Sequence, residues 1–245
     1  MKVKEIISQR NPTFRTFLKV LKGQGIKKHG LAFLSGPKQV REAMEDFPDR
    51  CVGLVVINQQ DVPKESMPDQ TTIYRLPIDL FREIDVHGTN QPILQIRVDP
   101  LPEWSEKDWP SGCTLFVPFQ DPTNVGAVIR SAAAFGVSRV VMLKEAAHPF
   151  HHKSVRAAGS TILRVSLSEG PSIRELEKTR VPLITLSPKG KNISSYKFPS
   201  TFGLLPGLEG PGLPESLRHA TSLAIPMEPG IESINTALAT GIALY

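Results

Sequence analysis

Short, unbroken apolar runs recur along this chain, and stretches with helical spacing lie between them. Val52 to Ile57 (VGLVVI) is a continuous β-branched run, and Thr114 to Pro118, Arg139 to Leu143, Val181 to Leu186, Phe202 to Leu205 and Leu223 to Ile225 are further near-continuous apolar strand candidates. A strand that is apolar on both faces must be covered on both faces. A parallel sheet with helices packed on either side supplies that cover, so the fold class is α/β. The second half of the chain then reads as strand and helix in alternation. Helices are predicted at Val125–Phe135, Lys153–Ala158, Ile173–Lys178 and Ser233–Tyr245, with a further strand at Leu163–Leu167.

The first half reads as a smaller α/β unit over residues 1–98. Residues 1–22 are predicted to be mainly helical, with a short first turn before Asn11-Pro12 and a helix after it. Phe14, Phe17, Leu18 and Leu21 form one apolar face of that helix at i, i+3, i+4 and i+7. Ala32–Leu34, Val52–Ile57, Ile73–Leu76 and Ile93–Val98 are strand candidates, with helices near Lys38–Met44 and Leu80–Ile84. Residues 99–112 are polar, aperiodic and hold three prolines, which marks a linker to a second domain at 113–245. Trp104 and Trp109 in that linker suit packing against a domain better than stacking on an exposed base.

Composition removes several classes. The only cysteines are Cys51 and Cys113, which excludes a disulfide framework and a four-cysteine zinc site and fits a reducing, cytoplasmic location. Residues 1–14 have no apolar h-region, and no run reaches the roughly 18–20 apolar residues that span a bilayer, so no membrane partner is expected. His148, His151 and His152 cluster without a neighbouring thiol; no metal is expected there, and surface or phosphate contact fits better. The net charge is +5, yet residues 1–30 alone hold eight bases and one acid, which leaves −2 for the other 215 residues. Such a basic arm on a near-neutral body points to a polyanion, with Arg15, Lys19, Lys22, Lys27 and Lys28 as contacts.

Ligands of parallel sheets sit beyond the carboxyl ends of the strands. Three loops there carry unusual residues. In the first, Asn124 is a predicted N-cap, and Arg130 leans back over Gly126, beside open helix-terminal N–H groups suited to an anion. A surface arginine beside a packing glycine is the plainer alternative. The second, Leu204 to Leu213, sets Glu209 among three glycines and two prolines. It does not match the dinucleotide fingerprint. The third, Ile225 to Asn235, offers Ser233 as a cap for the last helix and Asn235 on its first turn.

Taken in order, Asn124-x-Gly126-x-x-x-Arg130, Gly207-x-Glu209-Gly210-x-Gly212-Leu213, and Ile225-Pro226-Met227 with Ser233-Ile234-Asn235 resemble the three motifs of the SpoU-type (TrmH-like) RNA ribose methyltransferases of the SPOUT superfamily. The resemblance covers residues 113–245. More loosely, through Ser8 to Leu21 and Gly36 to Val40, the first unit is similar to the substrate-binding domain of many members, an α/β fold like that of RNA-binding ribosomal proteins.

The resemblance implies a parallel-sheet SPOUT domain with a C-terminal trefoil knot, a homodimer, and methyl transfer from S-adenosylmethionine to a ribose 2′-hydroxyl of structured RNA. Large-subunit ribosomal RNA is the favoured substrate. Transfer RNA is the alternative substrate, and a non-catalytic RNA-binding or assembly factor the alternative class. By matching position, Gly207, Ile225 and Ile234 lie against the cofactor, with Leu205, Leu208 and Met227 as neighbours. Arg130 is the family's proposed base. Its guanidinium, with a pKa above about 12, suits a clamp on the adjacent phosphate and the developing alkoxide equally well. Asn124, Glu209, Ser233 and Asn235 match the other polar site positions. Ile234 stands where leucine is usual, Leu208 where many members have a polar residue, and Pro206 precedes the motif glycine.

Overall fold

A computed structural model describes residues 2–60, 62, 67–179, 182–207, 217 and 220–245. The first half holds β1 (Lys2–Glu5), α1 (Pro12–Leu21), α2 (Ile26–His29), β2 (Leu31–Ser35), α3 (Pro37–Asp46), β3 (Cys51–Ile57), β4 (Thr72–Leu76), α4 (Ile78–Ile84) and β5 (Ile93–Arg97). The second holds β6 (Gly112–Val117), α5 (Pro122–Ala134), β7 (Arg139–Met142), α6 (His152–Ala158), β8 (Leu167–Glu169), β9 (Leu183–Asn192), β10 (Thr201–Leu205), β11 (Thr221–Ala224) and α7 (Thr236–Leu244). These elements form two compact units: residues 1–100 with 150–163, and residues 101–149 with 164–245.

The first unit is built on a mixed sheet in the order β1-β4-β3-β5-β2, in which β5 runs antiparallel to both of its neighbours. Its core centres on Phe17, whose ring meets those of Phe33 and Tyr74 edge to face at 5.3 and 5.1 Å. Residues 2–5 form a strand rather than the expected helical turn; β1 pairs in parallel with β4, and all four side chains are exposed. An edge strand studded with lysine shows no apolar periodicity, and that charge protects it from further pairing. Helix α1 begins after Asn11, whose side chain accepts from Thr13 N at 2.8 Å. It buries Phe14, Phe17, Val20 and Leu21, with Val20 taking the place expected of Leu18. Residues 1–30 are thus not an appended arm but part of this unit's sheet and core.

Residues 150–163 also pack in the first unit. His152 Nδ1 lies 2.8 Å from the Leu21 carbonyl oxygen, and the Ser160 hydroxyl donates to the Glu42 carboxylate. Gly159, at φ +65°, turns the chain out of α6 into a 3-10 helix at Gly159–Leu163, so the strand expected from Leu163 begins only at Leu167.

The second unit holds a wholly parallel sheet in the order β11-β9-β10-β6-β7-β8. From the central β6 the chain builds outward to β7 and β8 on one side, and later fills β10, β9 and β11 on the other. The carboxyl ends of the neighbouring strands β6 and β10 therefore lie where the strand order switches direction, the usual ligand position in such topologies. Residues 101–112 fold onto this unit. Trp104 N donates to Glu169 O at 2.8 Å, and both indoles pack against Phe116 with ring centroids 5.3 and 5.7 Å away. The expected helix at Ile173–Lys178 is a 3-10 helix, and β9 extends to Asn192, past the expected Leu186.

Burial pushes the thiols up, Cys51 to about 11 and Cys113 to about 12, so both stay protonated at neutral pH. Among the described residues no helix is long and apolar enough to cross a membrane, and no group of three metal-binding side chains is suited to a metal ion.

Candidate active site

The site is assembled from the ends of two helices. Helix α5 is capped by Asp121, whose carboxylate accepts from Thr123 N at 2.8 Å, with Pro122 at the first helical position. Asn124 is therefore not the cap; it projects from the first turn. The apolar stripe of α5 is largely as expected, with Val125, Val128, Ile129 and Ala132 buried.

Helix α7 is capped by Asn235 rather than Ser233. The Asn235 side-chain oxygen accepts from Ala237 N at 3.0 Å and Leu238 N at 3.1 Å. Its amide nitrogen is then free to donate, and it does so to Asn124 Oδ1 at 3.0 Å. One asparagine thus starts α7 and ties it to the first turn of α5. The next residue extends the knit: the Thr236 hydroxyl donates to the Gly207 carbonyl oxygen at 3.4 Å. Residues from the first and third motif loops and Gly207, which opens the second, meet through these two bonds although they lie up to 111 positions apart.

Helix α7 then runs alongside α5 in the same direction. A side chain on Gly241 would stand 3.3 Å from Ser131 Oγ, and the Tyr245 ring lies 5.8 Å from that of Phe135. Asn124, Ser131 and Phe135 thus share the face of α5 turned to α7. Arg130 lies about 100° round the helix from Ser131 and is exposed, one turn beyond Gly126.

Among the expected cofactor neighbours, Leu205 ends β10 fully buried in the core with Phe116 and Leu183. Gly207, Ile225, Met227 and Ile234 are half-buried, and Ser233 is exposed. Glu209 and Leu208 lie outside the described residues. Arg15, Lys19 and Lys22 line the exposed face of α1 at i, i+4 and i+7, and Lys27 and Lys28 are exposed on α2. Reading for motifs overlooked Asp121 and Thr236. Asp121-Pro122 is a cap signature in its own right; the Thr236 contact to Gly207 has no sequence signal.

A family model, the SpoU rRNA Methylase family, matches residues 114–245. Ribosomal RNA small subunit methyltransferase G 2 of Syntrophobacter fumaroxidans is 46% identical over 243 residues, covering 99% of this chain and 48% of the relative. The chain thus spans about half the length of that relative. The 23S rRNA (guanosine(2553)-2'-O)-methyltransferase RlmP of Bacillus subtilis is 27% identical over 250 residues, covering 99% and 98%. An AdoMet-bound rRNA methyltransferase from Sinorhizobium meliloti has the same fold, with a TM-score of 0.80 at 22% identity over 99% of this chain and 96% of that one. Since the family model runs from β6 to the end of α7, across more than half of the chain and all three motifs, the chain belongs to the SpoU rRNA Methylase family.

Proposed function

We propose that this chain transfers a methyl group from S-adenosylmethionine to a ribose 2′-hydroxyl of structured RNA, with large-subunit ribosomal RNA the favoured substrate. The observation that carries the reading is the convergence of the three motif loops through the Asn124–Asn235 and Gly207–Thr236 contacts. The Bacillus subtilis relative, alike over nearly its full length, bears the name of a 23S rRNA 2'-O-methyltransferase. The name of the Syntrophobacter relative favours small-subunit RNA as the second substrate reading, and transfer RNA is a third.

The residues fit the cofactor. Ile225, Met227 and Ile234 offer half-buried apolar surface to a purine. A Cβ at Gly207 would meet only the Leu186 carbonyl oxygen, at an ordinary 3.5 Å, and Gly207 is not among the positive-φ glycines. Among the described residues nothing in the fold demands glycine there, and the missing side chain suits a ligand lying against the backbone. Gly207→Ala should therefore melt like wild type yet bind S-adenosylmethionine at least about tenfold more weakly by calorimetry. A variant that binds normally would remove Gly207 from the cofactor site.

When bound, the cofactor supplies an activated methyl group. The chain must align the hydroxyl with it and accept or stabilise charge on the ribose oxygen. Arg130 serves that charge, Asn124 and Asn235 hold the two helix starts in register, and Ser233 and Glu209 complete the polar set. A C-terminal trefoil knot, a homodimer and a cytoplasmic setting belong to the same reading. For the dimer, the support is an exposed apolar stripe on α7: Leu238, Ile242 and Tyr245, at i, i+4 and i+7, with Phe135 beside it.

The first unit is the RNA-binding part. Because residues 1–30 are built into its core, charge and not chain must be removed to test it. Lys19→Gln with Lys22→Gln should lower the log–log salt slope of RNA binding by about 1.5; an unchanged slope would clear α1 of phosphate contact. The reading as a whole is tested by incubating the protein with methyl-labelled S-adenosylmethionine and protein-free large-subunit, small-subunit and transfer RNAs, then mapping 2′-O-methyl groups. Cofactor binding without transfer to any RNA would favour the non-catalytic factor.

A further inference from the structure

Within the first unit, α6, β2 and the turn after α4 enclose a small cleft lined by Phe33, Ser35, Val86, His87, His152 and Arg156, with Leu21 and Ile84 behind them. Its polar rim is cationic or titratable to a cation. The His87 and His152 rings are 6.0 Å apart, and Arg156 follows His152 by one helical turn. The guanidinium turns to the Gly36 corner, where its Nη1 lies 3.9 Å from the place a Cβ would occupy. No lining residue carries a carboxylate. Asp85, the acid nearest His87, already accepts from the Thr89 hydroxyl at 3.2 Å and from Asn90 N at 2.6 Å. Among the described residues no ion pair engages Arg156.

We propose that the mouth of this cleft takes a phosphodiester of the RNA substrate against its rim, with Arg156, His152 and His87 as the donors; the inference rests on the RNA-directed function above. The His152 ring fixes how the cleft works. Its Nδ1 faces the Leu21 carbonyl at 2.8 Å, and only an N–H can donate there, so neutral His152 presents a bare Nε2. Gaining a proton turns that acceptor into a charged donor. His87 is held below its ordinary value, first by burial and then by Arg156 and His152, with Asp85 opposing. His151, stacked 4.3 Å from His152, is lowered by burial, His152 and Lys153. A phosphate reverses the repulsion among these cations, so its binding draws in protons and tightens as the pH falls through the imidazole range.

A polymer suits the surroundings better than a free anion. His151 lies against Gly23, 3.1 Å from its absent Cβ, just past the α1 end that carries exposed Lys19 and Lys22. A strand following those lysines is led to the cleft.

The test uses the full chain and protein-free ribosomal RNA in filter binding, across a salt series at about pH 6 and about pH 8. Arg156→Gln should weaken binding about five- to tenfold and lower the salt slope by about one phosphate equivalent. Arg156→Lys should keep the slope, since the charge remains. Wild type should bind more tightly at the lower pH, and His87→Gln with His152→Gln should lose most of that gain. A wild-type slope in Arg156→Gln, an equal slope loss in Arg156→Lys, or an undiminished pH gain in the histidine pair would overturn the site. If wild type binds RNA and transfers methyl while these variants behave as wild type, only this inference fails. If wild type itself neither binds nor methylates RNA, the functional reading fails first.

Discussion

Arg130→Ala should bind S-adenosylmethionine almost as wild type does while methyl transfer falls about 10²–10³-fold, the usual loss for one preorganised charge at a developing oxyanion. The side chain stands exposed on the flank of α5, outside its buried stripe, so its removal opens no cavity in the core. A large loss of rate with an unchanged melting temperature is therefore assignable to chemistry. Arg130→Lys separates the two roles open to the guanidinium. Lysine gives up its proton more readily, with a pKa near 10.4, so a base would tolerate or welcome the change. A clamp would not, because the planar two-pronged donor is lost. Turnover of Arg130→Ala at the wild-type rate would take Arg130 out of the reaction altogether.

Gly190→Ala should be strongly damaging to the fold of the second unit. The ladder between β9 and β11 breaks register there: Ser222 pairs with Thr185, but Leu223 pairs with Lys191. Residues 186–190 leave the ladder between those pairings, and Gly190 returns hard against the β11 backbone. A Cβ at that point would sit 2.5 Å from the Leu223 carbonyl carbon and 2.6 Å from its nitrogen. Backbone cannot swing aside as a flexible side chain does, so β11 must shift. The cost is about 3 kcal/mol, at the upper end of overpacking. Because β11 leads into the Ile225–Asn235 loop, cofactor binding should weaken in parallel. Chemical denaturation and calorimetry on the same variant read both effects; wild-type stability would mean that the strands are not held at this spacing. Gly190 and Gly207 thus differ in kind: packing requires the first glycine, and the proposed ligand requires the second.

The strands of the second sheet were legible because strands covered on both faces leave continuous apolar runs, and Arg139–Met142, Thr201–Leu205 and Thr221–Ala224 fall within a residue or two of those runs. Lys2–Glu5 was not, since an exposed edge strand has no buried side chain to set a period. Leu163–Leu167 misled because Leu163 closes a 3-10 helix, whose large buried side chain is Ile162, and does not open a strand. In the site, the motif residues stood out by order and spacing, but the capping roles fell to other positions: Asp121 instead of Asn124, and Asn235 instead of Ser233. Several residues in each stretch were chemically able to cap, and the choice depended on where the chain entered the helix.

The amino-acid order, then, determined the α/β class, the parallel sheet and the residues that make up the candidate site, because those depend on local pattern and residue chemistry. Tertiary structure alone decided which groups meet. Asn235 reaches Asn124 across 111 positions, Thr236 reaches Gly207, and His152 comes to the Leu21 carbonyl. Such pairings are fixed by strand order and helix direction, which place distant loops at one end of a sheet, and no stretch of sequence holds that information by itself.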